Sequence, residues 1–130
     1  MTISYFLEKA NLLLNKEGYL LITTLNGQGF DIQTLWEKHK NVAPPHHLNF
    51  FNPKSMQALL EECGFEVVSI STPGKLDWNI VEGMINNGTK DLGRWWELVY
   101  KQSEQVKVEL QEWISRNNLS SHMRVVARKI

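Results

Sequence analysis

Four histidines and a single cysteine hold most of the reactive chemistry of this 130-residue chain. His46 and His47 stand together after Pro44-Pro45. An imidazole titrates near neutral pH, so either one suits a general base or a group that positions a substrate. A loop histidine that only hydrogen-bonds the backbone is the plainer reading of the same residues. A metal site needs further ligands at workable spacing. His39 is the near third candidate, and Cys63 falls on the apolar face of a helix, so no metal site is expected. Cys63 itself reads as a packed thiol. Gly27-Gln28-Gly29 follows an apolar run and has the look of a phosphate loop, but residue 32 is Ile where the third glycine would stand. No acidic residue follows at about twenty positions on, so the glycines read as a turn leaving a strand.

Composition narrows the classes. Fourteen Lys+Arg balance fourteen Asp+Glu, and 42% of residues are hydrophobic. With no basic excess to neutralise phosphates, a nucleic-acid-binding role is not expected. No apolar run approaches the ~18 residues that span a bilayer, so no membrane role is expected either. The start has no basic segment leading into an apolar run, so no signal peptide is read there. The lone cysteine fits a reducing, cytoplasmic setting. The length fits a single domain, residues 1–130, with one sizeable core.

These residues need elements to place them. Residues 4–16 read as a helix with Ser4 as N-cap and Phe6, Ala10, Leu13 and Leu14 on one face. The run 19–25 is apolar and β-prone without alternation, which predicts a strand buried on both faces. Residues 26–52 form a long excursion, with a short helix at Ile32, Leu35 and Trp36; loops of this length are more often functional than accidental. Asn52-Pro53 opens a helix that ends at Cys63-Gly64, with Phe51 stapled on Met56 and Met56, Leu59, Leu60 and Cys63 facing the core. Gly64 suits the left-handed C′ position. A strand follows over 65–71. Between 73 and 121 the pattern predicts a short helix near 79–85 and one long helix over 91–117, with Trp95, Trp96 and Trp113 on its apolar face and a polar gap at Ser103. Those tryptophans read as core, or as an oligomer interface, while Lys101 and Lys107 read as a solvated face. Residues 123–130 read as a last strand.

Two stretches resemble a known family. Residues 5–25, with Leu14-Asn15-Lys16-Glu17-Gly18 leading into Tyr19-Leu20-Leu21-Ile22, are similar to the helix and fifth strand of class I S-adenosylmethionine-dependent methyltransferases. His47-Leu48-Asn49-Phe50-Phe51, followed by Ser55 and by Leu59-Leu60 through Gly64-Phe65, resembles that superfamily's "H-L-x-F-F" segment. The closest likeness is to small bacterial enzymes of the ubiquinone/menaquinone type and of surface-polysaccharide loci. The resemblance implies a partial Rossmann-like α/β sheet: strands 5, 6 and 7 of an order 3-2-1-4-5-7-6, the last one antiparallel, with flanking helices and a helical insertion over 73–121. It implies a methyltransferase using S-adenosylmethionine on a small-molecule acceptor. Asn26, Asn49 and Phe50 would then border the acceptor, and His46 or His47 would be the base. The family's "E/D-x-G-x-G-x-G" loop does not occur in this sequence. The expectation is therefore a substrate-side portion that is inactive alone and does not bind the cofactor alone. The strand at 19–25 would expose an edge, closed by a homodimer or by the missing N-terminal half. The alternative is a non-catalytic dimerisation or binding module derived from the same fold.

Overall fold

The computed structural model describes residues 2–42 and 50–130. The elements run α1 (Ile3–Leu13), β1 (Tyr19–Leu25), α2 (Phe30–Leu35) with a 3-10 turn at Trp36–Lys38, α3 (Pro53–Glu62), β2 (Phe65–Ser71), α4 (Asp77–Asn86), α5 (Arg94–Tyr100), α6 (Glu104–Arg116) and β3 (His122–Lys129). The chain is mixed α/β. Its three strands lie in the order β1-β3-β2, and β3 is antiparallel to both neighbours. The last strand therefore enters between the first two, which run parallel to each other.

One face of the sheet carries the core. Leu20 and Ile22 of β1, Met123, Val125 and Ala127 of β3, and Phe65, Val67 and Ile70 of β2 pack against Leu7 of α1 and Met56 and Leu60 of α3. The register places Ile22 and Ile70 on either side of Val125, as period-2 alternation requires. A bulge between Val67 and Ser69 turns Val68 out to solvent. Contrary to the sequence reading, β1 is covered on one face only: Tyr19 and Leu21 are each 63% exposed on the other. Its apolar run without alternation gave no sign of which face would be covered.

Helix ends follow local chemistry. Asn52 caps α3: its Oδ1 accepts from the Ser55 amide at 2.9 Å, and Ser55 Oγ accepts from the Asn52 amide at 3.0 Å. Pro53 takes the first helical position, where no amide is needed. Gly64 then adopts φ +87°, a conformation costly for any residue with a Cβ. In α1 the cap is Thr2 rather than Ser4, its hydroxyl accepting from the Tyr5 amide. The α1 face also differs from expectation: Leu7 is buried, with Ile3 and Leu14 beside it, while Phe6 and Leu13 are exposed. Lys129 Nζ donates to the Asn11 and Leu14 carbonyls, placing a cation on the negative end of α1.

The region 73–121 makes a second core. Leu35 of α2, Trp78 and Val81 of α4 and Val99 of α5 are buried together, with Phe30, Trp96 and Leu110 packed on them. Trp96 meets Phe30 edge-on at 4.7 Å between ring centroids. The long helix expected over 91–117 is two helices. Ser103, the polar gap, leaves helical geometry and caps α6 through the Val106 amide. The break rotates the two halves relative to a continuous stripe, so Trp95 and Trp113 end up 65% and 50% exposed rather than in the core.

Replacing Asn52 by Ala is expected to cost about 1 kcal/mol of stability, read as a lower denaturant midpoint with an unchanged slope. A midpoint equal to the parent's would show that the capping box contributes nothing in this chain.

Candidate functional site

β1 and β2 finish at the same end of the sheet, where β3 begins. The side chains gathered there are polar and buried. Asn26, the residue after β1, is fully buried. Its Nδ2 donates to the carbonyls of Ser120 at 3.0 Å and Asn118 at 3.2 Å, and its Oδ1 accepts from the Gln28 amide at 3.0 Å. Its own amide donates to Ser121 O at 2.7 Å. Both donors and one acceptor site of the side chain are thus used within the chain. Asn26 acts here by fixing the turn between β1 and α2 against the segment that enters β3.

A second side chain holds that segment from the opposite flank. Asp77, the first residue of α4, is 2% exposed. Its Oδ1 accepts from the Ser121 amide at 2.7 Å. Its Oδ2 accepts from Ser120 Oγ at 2.7 Å and Gln111 Nε2 at 2.9 Å. Gln111 in turn accepts from the Trp78 amide at 2.9 Å. This satisfied network joins α4, α6 and the start of β3.

A third group is the pair Asp31 and His39, 1% and 5% exposed, with His39 Nε2 at 2.7 Å from Asp31 Oδ2. His39 Nδ1 accepts from the Asn41 amide at 3.0 Å. Both ring nitrogens are therefore engaged, and His39 has no lone pair left to offer a metal. Burial pushes the Asp31 carboxyl up, but the hydrogen bond and charge of His39, helped by the Ser121 hydroxyl and the Ile32 amide, outweigh it and hold the group below its ordinary value. Asp31 Oδ1 itself accepts no hydrogen bond.

Two of the clefts near these groups border the turn after β1 and helix α6. One, of about 260 Å³, is lined by Gly27, Ile32, Gln33, Trp36, Val42 and Phe50 among others. Its walls are largely apolar. Trp36 stands at its rim, 59% exposed and at φ +45°, an unusual conformation for a bulky residue. Val42 and Phe50 are the described residues that border the segment 43–49 on either side. The other, of about 610 Å³, lies between the 73–79 region and α6, with Pro73, Lys75, Asn79, Val108 and Arg116 on its walls. Beside it Lys107 is buried, not solvated as its helical spacing suggested. Its Nζ lies 2.7 Å from Glu82 Oε2 and 5.4 Å from the centre of the Tyr100 ring. That hydrogen bond holds Glu82 below and Lys107 above their ordinary values.

Of the residues singled out from the sequence, the structure brings Asn26 and Phe50 to this end of the sheet, one inside the turn and one on the apolar cleft. His46, His47 and Asn49 lie outside the described residues. Cys63 is half-buried against the sheet core, where burial, with Glu8 and Glu62 nearby, raises its thiol. Asp31, Asp77 and Ser120 were not anticipated. An acid at the start of a helix reads as a charge on the first turn, and nothing local shows that Asp77 reaches across 44 positions to Ser121.

The glycines of the turn test whether a cofactor fits here. A Cβ on Gly29 would lie 2.4 Å from Ser121 Cα, and one on Gly27 would lie 3.0 Å from the Phe50 carbonyl oxygen. Both glycines admit the chain's own backbone and not a ligand. No family model and no curated protein matches the chain.

Substituting Asn26 by Ala strands the buried Ser120 carbonyl and removes the bonds to the Asn118 carbonyl and the Gln28 amide, and is expected to lower stability by about 2–3 kcal/mol, measured by urea denaturation. A loss below about 0.5 kcal/mol, within the scatter of surface substitutions, would mean the turn does not depend on this amide. Acid sensitivity follows from the carboxyls. Asp31 and Glu82 titrate lower in the folded chain than unfolded, so their contribution is complete above about pH 4, the unfolded range, and is lost as pH falls through the lower folded values. The urea midpoint is expected to be lower at about pH 3 than at about pH 5, and Asp31→Asn is expected to narrow that difference.

Proposed function

We propose that the chain is the C-terminal, substrate-side portion of an S-adenosylmethionine-dependent methyltransferase, and that it does not transfer methyl groups alone. The observation that carries the reading is the strand order. A parallel pair, β1 and β2, with an antiparallel β3 between them is the 5-7-6 arrangement that the sequence resemblance implies. The order is unusual enough to be informative, because consecutive strands more often lie side by side. The apolar cleft at the strand ends adds to it. Open α/β sheets place ligands outside the carboxyl ends of their strands, and Trp36, Ile32 and Phe50 offer walls for a small-molecule acceptor there.

The same reading accounts for the open sheet edge. Gly27 and Gly29 lie against the chain's own backbone. β1 lies at one edge of the sheet among the described residues, with Tyr19 and Leu21 open on one face. An edge strand with exposed apolar side chains invites pairing. The reading assigns that edge to the half of the fold that carries the glycine loop. The second reading, a non-catalytic dimerisation module, is favoured by the same edge if a second copy covers it.

Calorimetric titration of the folded chain with S-adenosylmethionine, and separately with S-adenosylhomocysteine, is expected to give no heat even at millimolar ligand. Co-expression with a chain that carries a glycine-loop half is expected to give a complex that binds both. Micromolar binding or methyl transfer by the chain alone would overturn the reading. A stable homodimer that ignores the glycine-loop half would favour the module.

A further inference from the structure

We infer that the cleft between residues 73–79 and α6 binds a small molecule with a carboxylate head and an apolar body, the head seated between Lys75 and Arg116. The cleft holds about 610 Å³, within the range of roughly 300–1,000 Å³ usual for small-molecule sites. It opens just past the carboxyl end of β2 and shares no described lining residue with the cleft of Trp36 and Phe50.

The two walls are joined before any ligand arrives. Gln111 Nε2 donates to Asp77 Oδ2 at 2.9 Å and to the Gly74 carbonyl at 3.3 Å, and Gln111 Oε1 accepts from the Trp78 amide at 2.9 Å. Ser115 Oγ donates to the Gly74 carbonyl as well. These bonds clamp residues 74–78 to α6, so the walls need no ordering when a ligand enters. They also spend the side chains of Gln111 and Ser115 within the chain. Asn79 is the uncharged polar side chain of the described lining that stays open to a ligand. The rest of the middle is Pro73, Val108, which is 49% exposed, and the alkyl stems of Lys75 and Arg116. Such a surface suits an apolar body.

Charge gives the cleft a direction. Residue 74 meets Ser115 at one end, and Glu82 meets Lys107 at the other. Lys107 and Ser115 stand eight residues apart on α6, about 12 Å along its axis. At the Ser115 end are Lys75 and Arg116, both exposed. Among the described residues neither enters an ion pair or a side-chain hydrogen bond. Glu112, one turn before Arg116, is the acid of that end, so two cations face one acid and one positive charge is left over. At the far end Lys107 Nζ lies 2.7 Å from Glu82 and 3.5 Å from Glu104, one cation against two acids. Lys107 is thus already engaged, and an anionic head is repelled there. It is drawn to Lys75 and Arg116, where a guanidinium can hold a carboxylate through two parallel N–H donors.

The test titrates the full chain with 2-naphthylacetate and, separately, with its neutral carboxamide, followed by amide and indole NMR. The acid is expected to shift the backbone amides of Lys75, Asn79 and Val108 and the indole N–H of Trp78, and to bind about threefold or more tightly than the carboxamide. Lys75→Gln combined with Arg116→Gln is expected to erase that preference while the carboxamide binds as before. Glu112→Gln removes the opposing acid and is expected to tighten the acid about threefold, again without effect on the carboxamide. A gain of this kind cannot come from a damaged fold. Equal binding of acid and carboxamide by the parent chain would overturn the assignment. So would shifts confined to the open face of β1, at Tyr19 and Leu21, or no shifts at about 10 mM ligand.

Discussion

A buried carboxylate with three donors holds the two halves of this fold together. The sheet core and the helical core of α2, α4 and α5 share few side chains, and the segment that enters β3 passes between them. Asp77 fixes that segment through the Ser121 amide and the Ser120 hydroxyl, and ties it to α6 through Gln111. A carboxylate that is 2% exposed would be costly if any of these donors were lost, because the charge would stay buried without compensation. The network therefore acts more as a positional lock than as a source of net stability. Asn26 holds the same segment from the β1 side, so β3 is gripped before it enters the sheet.

This arrangement explains why some of the fold was legible in the sequence and some was not. The legible parts depend on neighbours in the chain. Asn52-Pro53 with Ser55 makes its cap within one turn, Gly64 supplies its own positive φ, and the Met56, Leu59 and Leu60 stripe needs only helical spacing. Residues 65–71 match β2 because Phe65, Val67 and Ile70 are spaced for one face, with the bulge accounting for the shift. The parts not legible depend on distant partners. Lys107 looked like a surface lysine until α4 placed Glu82 beside it. Trp95 and Trp113 looked like core until Ser103 broke the helix between them. The Asp31 and His39 pairing spans a helix and a 3-10 turn, a separation that no periodicity rule covers.

The candidate site was legible to the same degree. Asn26 and Phe50, both expected to border an acceptor, lie near the end of β1, and the geometry gives them different surroundings. Asn26 has no side-chain donor left for a ligand, whereas Phe50 is partly open on the apolar cleft. A residue type that suits binding can be fully spent on structure, and only the hydrogen-bond partners distinguish the two.

The two faces of β1 carry the argument furthest. On one side Leu20 and Ile22 are packed by helices, as in any two-layer domain. On the other, Tyr19 and Leu21 stand in solvent, on a strand whose outer edge has no neighbour among the described residues. A sheet built to face water would alternate polar residues at those positions, as β3 does with Arg124 and Arg128. β1 does not alternate. Its composition is that of a central strand in a three-layer sheet, and its position is that of an edge. The mismatch is greatest at the strand that the resemblance would place next to a fourth one; β3 carries Arg124 and Arg128, and on β2 Glu66 pairs with Arg128 although Val68 is also exposed. This local conflict at β1 is the physical ground on which the proposed covering partner rests.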